Sequence, residues 1–266
     1  MKFPPPFPSM PAFYISEEKR VPLFCLLWIS YFAANLGRLS YVTAMIEIIG
    51  SEGFSPAAAG LVGTGFFVCY GLGQIVSGYT GDRLPPGGVV FAGLFCTALA
   101  NLVMGFTQTS GQMLAVWCFN GAIQSVLWPP ILRVIVEYYP SAEREKACVN
   151  IATTYPLATL FSYAACAGIV MVLSWRAVFF IFSVFLFAVS ALWGAAFKKL
   201  ERCRVDFSSA LTDADGEAHY RGLPLKRGEK IPYFVLALFC GALVAQGALR
   251  DGLMTWIPAY MAGVFS

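Results

Sequence analysis

Residues 21–49 read VPLFCLLWISYFAANLGRLSYVTAMIEII, an apolar run interrupted by only two charged side chains, Arg38 and Glu47. About 20 apolar residues are enough for a helix to cross a bilayer, so this run can span a membrane. It is too long for the apolar part of a signal peptide, and no small-residue cleavage site follows it. We therefore predict a transmembrane helix that stays attached to the chain.

The composition of the whole chain agrees with this first run. The chain has 266 residues, of which 58% are hydrophobic and only 12% are charged. Soluble domains usually carry about 25% charged residues. The composition argues against a water-soluble enzyme, a DNA-binding domain and a disordered chain. The lipid bilayer is the expected partner, and no nucleic acid is expected.

Seven apolar runs of the required length follow one another, which predicts an all-α membrane protein. We divide the chain into a cytoplasmic N-terminal segment (1–20), a six-span bundle (21–197), a central cytoplasmic loop (198–230) and span seven (231–266). The spans are predicted at Val21–Ile49, Ala57–Tyr79, Gly88–Phe106, Met113–Tyr138, Ala147–Leu173, Ala177–Phe197 and Ile231–Val264.

Lysine and arginine are distributed unevenly between the two predicted sides of the membrane. Nearly all that lie outside the spans, including Lys19, Arg20, Arg144 and Lys198, fall on one side, and only Arg176 falls on the other. Basic residues accumulate in cytoplasmic loops. The chain is therefore predicted to be a multi-pass protein of the cell membrane with a cytoplasmic N-terminus.

Two arginines lie deep within predicted spans, Arg38 in span one and Arg250 in span seven. An arginine near the bilayer centre costs about 2.5–3.5 kcal/mol on insertion scales, so such residues are candidates for function. Tyr31 and Asn35 follow helical spacing from Arg38, and Gln246 lies one turn before Arg250. We predict that both arginines bind substrate; the alternative for Arg38 is a structural ion pair with a carboxylate such as Glu47.

Span four carries further polar residues, in two groups. Asn120, Gln124 and Trp128 recur every four residues, which predicts either a face lining a cavity or a face hydrogen-bonded to another helix. Arg133 and Glu137 lie one turn apart near the cytoplasmic end. We interpret this pair as a salt-bridged gate or helix end, with Asp82 as a possible additional partner.

The sequence contains no arrangement of residues that suggests catalysis. It has no phosphate-binding P-loop and no cysteine or histidine spacing typical of a metal site. No cofactor or metal is expected, and the chain is not predicted to be an enzyme. Deep arginines in a helical bundle instead favour binding of a small anion.

Several motifs resemble those of one transporter family. Gly78-Tyr-Thr-Gly-Asp82-Arg83 resembles the loop between spans two and three of the major facilitator superfamily. The segments Asn120–Arg133, Glu143-Arg144 and Leu249–Tyr260 resemble spans four, five and seven of its organophosphate:phosphate antiporters. The resemblance implies a helical carrier that exchanges a sugar phosphate or glycerol phosphate for inorganic phosphate.

The resemblance also implies roles for individual residues. Arg38 and Arg250 would clasp the phosphoryl group, with Tyr31 and Trp128 in the cavity and Asp82 and Arg83 in the gating loop. Two positions differ from the family: Gln74 stands where a lysine is common, and Tyr155 where a histidine is common. These differences leave open another superfamily permease, for an organic anion or a drug, or a non-transporting sensor of sugar phosphate.

The length of the chain bears on the same family. Carriers of this kind are implied to have two six-span halves, whereas the predicted spans supply one half and one helix of the next. We therefore expect the chain to be a fragment that needs the missing C-terminal half as a partner and does not transport alone.

Overall fold

The computed structural model describes residues 13–80, 84–201 and 204–206, together with scattered positions between 234 and 260. The chain divides into two compact units, Met1–Thr212 and Asp213–Ser266. The division falls within the predicted central loop, 198–230. The described residues are almost entirely helical, which confirms the predicted all-α class.

The first unit has eight described helices and two short described strands. The strands, β1 (Phe13–Ile15) and β2 (Arg204–Asp206), pair antiparallel and were not predicted from the sequence. The helices are α1 (Glu17–Glu52), α2 (Pro56–Thr80), α3 (Pro86–Met104), α4 (Ser110–Ser125), α5 (Trp128–Tyr138), α6 (Ser141–Ala152), α7 (Thr154–Val170) and α8 (Trp175–Glu201).

Local sequence signals set several of these helix ends. Gly53 ends α1 in the left-handed region at φ 68°, which glycine adopts without a steric penalty. Pro86 begins α3, where its missing N–H costs no hydrogen bond. A capping box precedes α4, because the Thr109 hydroxyl accepts from the Gln112 amide and the Gln112 side chain accepts from the Thr109 amide.

Spans four and five each consist of two helices, which corrects the prediction of one continuous helix per span. Span four breaks between α4 and α5, before Pro129 and Pro130; span five breaks at Thr153, before Pro156. A proline has no N–H to donate and its ring clashes with the carbonyl four residues earlier. At the first break, the Leu127 amide donates to the Gln124 carbonyl three residues earlier, instead of to the carbonyl four residues earlier as in an α-helix.

Within the described residues, four helices are each long and apolar enough to cross a membrane, namely α1, α2, α3 and α8. The pairs α4–α5 and α6–α7 correspond to the two broken spans. Span seven lies largely outside the described residues, and the positions described there, such as Phe234 and Leu253, are helical.

The helices of the first unit pack around α1. This helix contacts α3, α7 and α8, while α2 packs against α4 and α3 packs against α8. The apolar core joins Leu27 of α1 with Leu94 of α3, Ile131 of α5 and Trp193 of α8. The position of α1 at the centre places Arg38 within the bundle rather than on its outer surface.

Ion pairs tie the ends of α1 to neighbouring helices. At one end, Arg20 Nη1 lies 2.7 Å from Glu143 Oε1, and the Tyr139 hydroxyl donates to the Arg20 carbonyl at 2.6 Å. Burial raises the pKa of the Tyr139 hydroxyl far above its usual range, which keeps it a donor. At the other end, Arg176 Nη1 lies 2.6 Å from Glu52 Oε1. Both ends of α1 are thus fixed.

Candidate anion-binding site

Arg38 is half-buried in α1, beside three aromatic rings of α2. Its guanidinium carbon lies 4.9 Å from the centroid of Tyr70, 5.3 Å from that of Phe67 and 5.5 Å from that of Phe66. We call these three rings the aromatic cradle. Along the helix axis, Arg38 lies about 25 Å from Val21 and about 16 Å from Ile49, so it is far from both ends of the apolar run.

The aromatic cradle explains how a charged side chain is accommodated at this depth. A cation within about 6 Å of a ring centroid gains roughly 0.5–2 kcal/mol, more when it is desolvated. The guanidinium also keeps its N–H groups in its own plane, where they match the oxygens of a phosphate or carboxylate. Contact with the three rings therefore offsets part of the cost of placing this cation deep in the bundle.

The cradle was missed in the sequence, where Gln74 was singled out in α2 and none of the three rings was. The available signal was Phe66 and Tyr70, spaced four residues apart on one helix face. Their position depends on the close packing of α2 against α4. A Cβ on Gly121 of α4 would overlap the Phe66 carbonyl oxygen and lie 3.1 Å from the Phe66 carbonyl carbon. The small residue on α4 thus permits the close approach of the α2 backbone at Phe66.

Tyr31 and Trp128 form a second aromatic contact next to this region. Their ring centroids are 4.8 Å apart, and both side chains are half-buried. Trp128 is the first residue of α5, so the break between α4 and α5 determines where its ring lies. The structure thus brings together the two residues that the family resemblance assigned to the cavity.

The polar stripe of span four makes contacts between helices. Asn120 donates from Nδ2 to the Gly37 carbonyl at 3.3 Å, and Gln124 donates from Nε2 to the Ala34 carbonyl at 3.0 Å. Both side chains are buried. This geometry matches the second of the two alternatives, a face that hydrogen-bonds another helix, and contact with a substrate stays a prediction.

Two other side-chain amides also make hydrogen bonds with α1. Asn35 donates from Nδ2 to the Tyr31 carbonyl of its own helix at 2.9 Å. Asn101 of α3, which was not singled out in the sequence, donates to the Gly37 carbonyl at 3.1 Å and accepts from the Ser40 hydroxyl at 2.7 Å. Its isolated position in an apolar run was the only sequence signal for this role.

The remaining predicted site residues are distributed over both units. Gln74 and Tyr155 are half-buried in the first unit, and Gln246 is an exposed helical position in the second. Arg250, Asp82 and Arg83 lie outside the described residues. Across the part of the chain that the structure describes, no group of three or more His, Cys, Asp or Glu is placed to hold a metal ion.

Arg133 makes the predicted pair with Glu137 and a further contact with a loop. Its Nε lies 2.6 Å from Glu137 Oε1, which confirms that pair, and its Nη1 donates to the Leu84 carbonyl at 3.1 Å. Leu84 lies between α2 and α3. The arginine thus holds α5 to the α2–α3 loop, the segment that contains Asp82 and Arg83. A gating role for this contact stays a prediction.

We expect Arg133→Gln to affect stability rather than affinity. The variant loses a partly exposed ion pair and one bond to a carbonyl, a cost of about 1 kcal/mol. Thermal unfolding of the chain in detergent should shift downward, while the dissociation constant for inorganic phosphate should stay within about twofold. A larger change in that constant would instead place Arg133 in the binding site.

Comparison with known proteins places this fold in a large transporter group. The family model for the Major Facilitator Superfamily matches residues 27–266. The solved structure of a bacterial homologue of the human lysosomal transporter Spinster, inward-facing and occupied, has a TM-score of 0.61 at 19% identity. That match covers 67% of this chain and 44% of the other, and it supports the fold alone.

Three curated relatives have names that agree with the family resemblance noted in the sequence, two of them transporters and one a sensor. A probable hexose phosphate transport protein of Chlamydia muridarum is 31% identical over 47% of this chain and 27% of its own length. The glycerol-3-phosphate transporter of Bacillus subtilis is 28% identical over 66% and 40%. The membrane sensor protein UhpC of Escherichia coli is 28% identical over 44% and 27%.

The matched part thus spans less than half the length of each of these relatives. The matching family model and the transport proteins among these relatives are those of transporters and not of enzymes. The chain belongs to the Major Facilitator Superfamily.

Proposed function

We propose that the chain is part of a secondary transporter that exchanges a small organophosphate for inorganic phosphate across the cell membrane, with the N-terminus cytoplasmic. The observation that carries this proposal is Arg38, an arginine at mid-membrane depth held against the aromatic cradle. The names of the Chlamydia and Bacillus relatives support a phosphorylated substrate.

The chemistry of the guanidinium favours an oxyanion as substrate. Arginine is effectively always protonated, and its planar fork binds phosphate through two parallel hydrogen bonds. In our proposal Arg250 supplies a second such fork, as the family resemblance implies. Two positive charges repel each other in a medium of low dielectric constant and favour a ligand that carries two negative charges. Phosphate monoesters carry about 1.5 to 2 negative charges at pH 7, and inorganic phosphate loses its second proton near neutral pH.

The same charges provide a reason for obligatory exchange. An occupied site is neutral, so the two halves of the carrier can rock around it and open it to the other side. In an empty site the two positive charges have no bound anion between them, and their repulsion resists closure. The carrier would then return only with a second anion bound, and Tyr31, Trp128 and Gln74 would contact the organic part of the substrate.

The first test measures binding and flux separately. The chain is reconstituted in nanodiscs, and inorganic phosphate, glycerol 3-phosphate and succinate are titrated by calorimetry. We expect both phosphates to bind at least tenfold more tightly than the dicarboxylate. Tighter binding of succinate would favour the alternative permease for another organic anion, for which the altered Gln74 and Tyr155 would be the reason.

Flux is measured in proteoliposomes loaded with phosphate, using labelled phosphate outside. We expect none from the chain alone, because we propose that it works with a second six-helix half. A fusion to the part of the Bacillus subtilis relative that lies beyond the matched region should restore exchange. Rapid exchange by the unfused chain would contradict the need for a second half.

A sensor is the second candidate function, and the similarity to UhpC favours it. A sensor would bind sugar phosphate and change conformation without moving it. The fusion separates the two candidates: binding with exchange identifies a carrier, whereas binding without exchange, in a fusion that unfolds cooperatively, identifies a sensor.

A further inference from the structure

A groove lies between the beginning of α3 and the end of α8, away from Arg38. Its volume is about 490 Å³, within the range of small-molecule sites. It is formed by residues of the first unit alone. The residues that matter here are Gly87, Gly88, Phe91, Trp193, Phe197 and Lys198.

The apolar walls of this groove are fixed by packing. The rings of Trp193 and Phe197 stack with centroids 4.7 Å apart, and Trp193 Nε1 donates to the Gly87 carbonyl at 2.9 Å. Trp193 is fully buried and Phe197 nearly so, and their stacked rings therefore form the sealed inner wall of the groove, while Phe91 forms its exposed wall. Gly88 leaves space, since a Cβ there would meet only Pro85 Cγ, at 3.7 Å.

The groove continues an apolar surface along α3. Phe91 lines the groove and is exposed, and so are Phe95, Leu99 and Val103, which follow it at helical spacing. A stripe of large exposed apolar side chains on a membrane-spanning helix is the surface that acyl chains cover. The ligand that reaches this groove most readily is thus a lipid from the same bilayer.

Charge at the rim selects the kind of lipid. Lys198 lies at the rim, and Lys199 follows it; both are exposed in the last turn of α8. None of the described lining residues is acidic. Lysines at the end of a membrane helix attract anionic headgroups. An apolar groove with a basic rim matches an acyl chain attached to a negatively charged headgroup.

We propose that this groove binds an anionic glycerophospholipid, with one acyl chain along the exposed ring of Phe91 and over Gly88, and the headgroup phosphate at Lys198. This site is separate from the proposed transport site at Arg38 and does not depend on it. The lipid would hold the ends of α3 and α8 together at the membrane surface.

The test uses the full chain in vesicles and lipids that quench tryptophan fluorescence. Brominated phosphatidylglycerol is compared with brominated phosphatidylcholine at equal mole fractions. We expect the anionic lipid to quench preferentially, with a relative binding constant about fivefold higher, the effect of one lysine near the surface. The preference should vanish in Trp193→Phe, because Trp193 is the one described tryptophan that lines the groove, whereas the other tryptophans of the chain report ordinary contact with lipid.

Matched variants separate the groove from general charge and packing effects. Lys198→Gln and Gly88→Leu should abolish the preference, the first by removing the rim charge and the second by filling the groove. Lys146→Gln, an exposed lysine outside the groove, and Gly168→Leu, whose Cβ meets nothing within 4 Å, should retain it. Equal quenching by both lipids in the unaltered chain, or a preference that survives Gly88→Leu, would overturn the proposal.

Discussion

Replacing Arg38 by lysine should weaken the binding of inorganic phosphate by about tenfold to a hundredfold. The substitution keeps the positive charge but removes the planar fork, so one of two charge-assisted hydrogen bonds is lost, at about 1.5–3 kcal/mol. A lysine ammonium is a more compact and more strongly hydrated cation, so its contact with the aromatic cradle also weakens. Because both effects concern the guanidinium of Arg38, this is the largest change in phosphate affinity that we expect.

The measurement is calorimetric titration of phosphate into the chain in nanodiscs. Arg176→Lys is a matched control, because Arg176 also lies over an aromatic ring, 4.3 Å from the centroid of Trp175, and pairs with Glu52 at the far end of α1. That variant should bind phosphate like the unaltered chain. If Arg38→Lys bound phosphate equally well, the guanidinium would not be the anion ligand and the proposed function would fail.

The substitution Gly121→Ala should destabilise the chain by about 2 kcal/mol, an overpacking cost of about 3 kcal/mol less a gain of about 1 kcal/mol in helix propensity. This is the largest loss of stability that we expect from one added methyl group. The new Cβ would overlap the Phe66 carbonyl oxygen, which belongs to the backbone of α2. Rotation of a side chain cannot relieve such an overlap, so α2 and α4 must separate, which is the source of the overpacking cost.

Thermal unfolding in detergent measures this effect, and Gly111→Ala in the same helix is the control. A Cβ on Gly111 meets nothing within 4 Å, so that variant should be as stable as the unaltered chain or slightly more stable. Phosphate affinity should also fall in Gly121→Ala, because Phe66 moves with α2. An unchanged unfolding temperature would show that the contact between α2 and α4 is looser than the structure indicates.

The spans and the deep arginine could be predicted from the sequence, because both depend on the energetics of the bilayer. A long apolar run has few alternatives to a transmembrane helix, and a charge within it is costly wherever the run packs. The breaks in spans four and five were also encoded, by Pro129, Pro130 and Pro156, but hydropathy alone does not register a missing N–H. Composition predicts that a span exists and says little about its continuity.

The surroundings of Arg38 could not be predicted in the same way. Spacing of four residues shows that Asn120 and Gln124 share a helix face, yet it does not show whether that face meets a cavity or another helix. The cradle requires the approach of α2 to α1, which depends on contacts between residues far apart in sequence. Likeness to a family identified Tyr31 and Trp128, whereas it said nothing of Phe66 and Phe67.

The two side-chain amides that donate to the Gly37 carbonyl determine how accurately Arg38 is positioned. Gly37 directly precedes Arg38, and Asn101 and Asn120 hold its carbonyl from two different helices. A slip of α1 by one residue would shift the chain by about 1.5 Å and turn it by about 100°. Such a slip would break both bonds and point the guanidinium away from α2. The uncharged side-chain amides of Asn101 on α3 and Asn120 on α4 therefore fix the register of α1. That register determines the direction of the Arg38 guanidinium and its position along the helix axis.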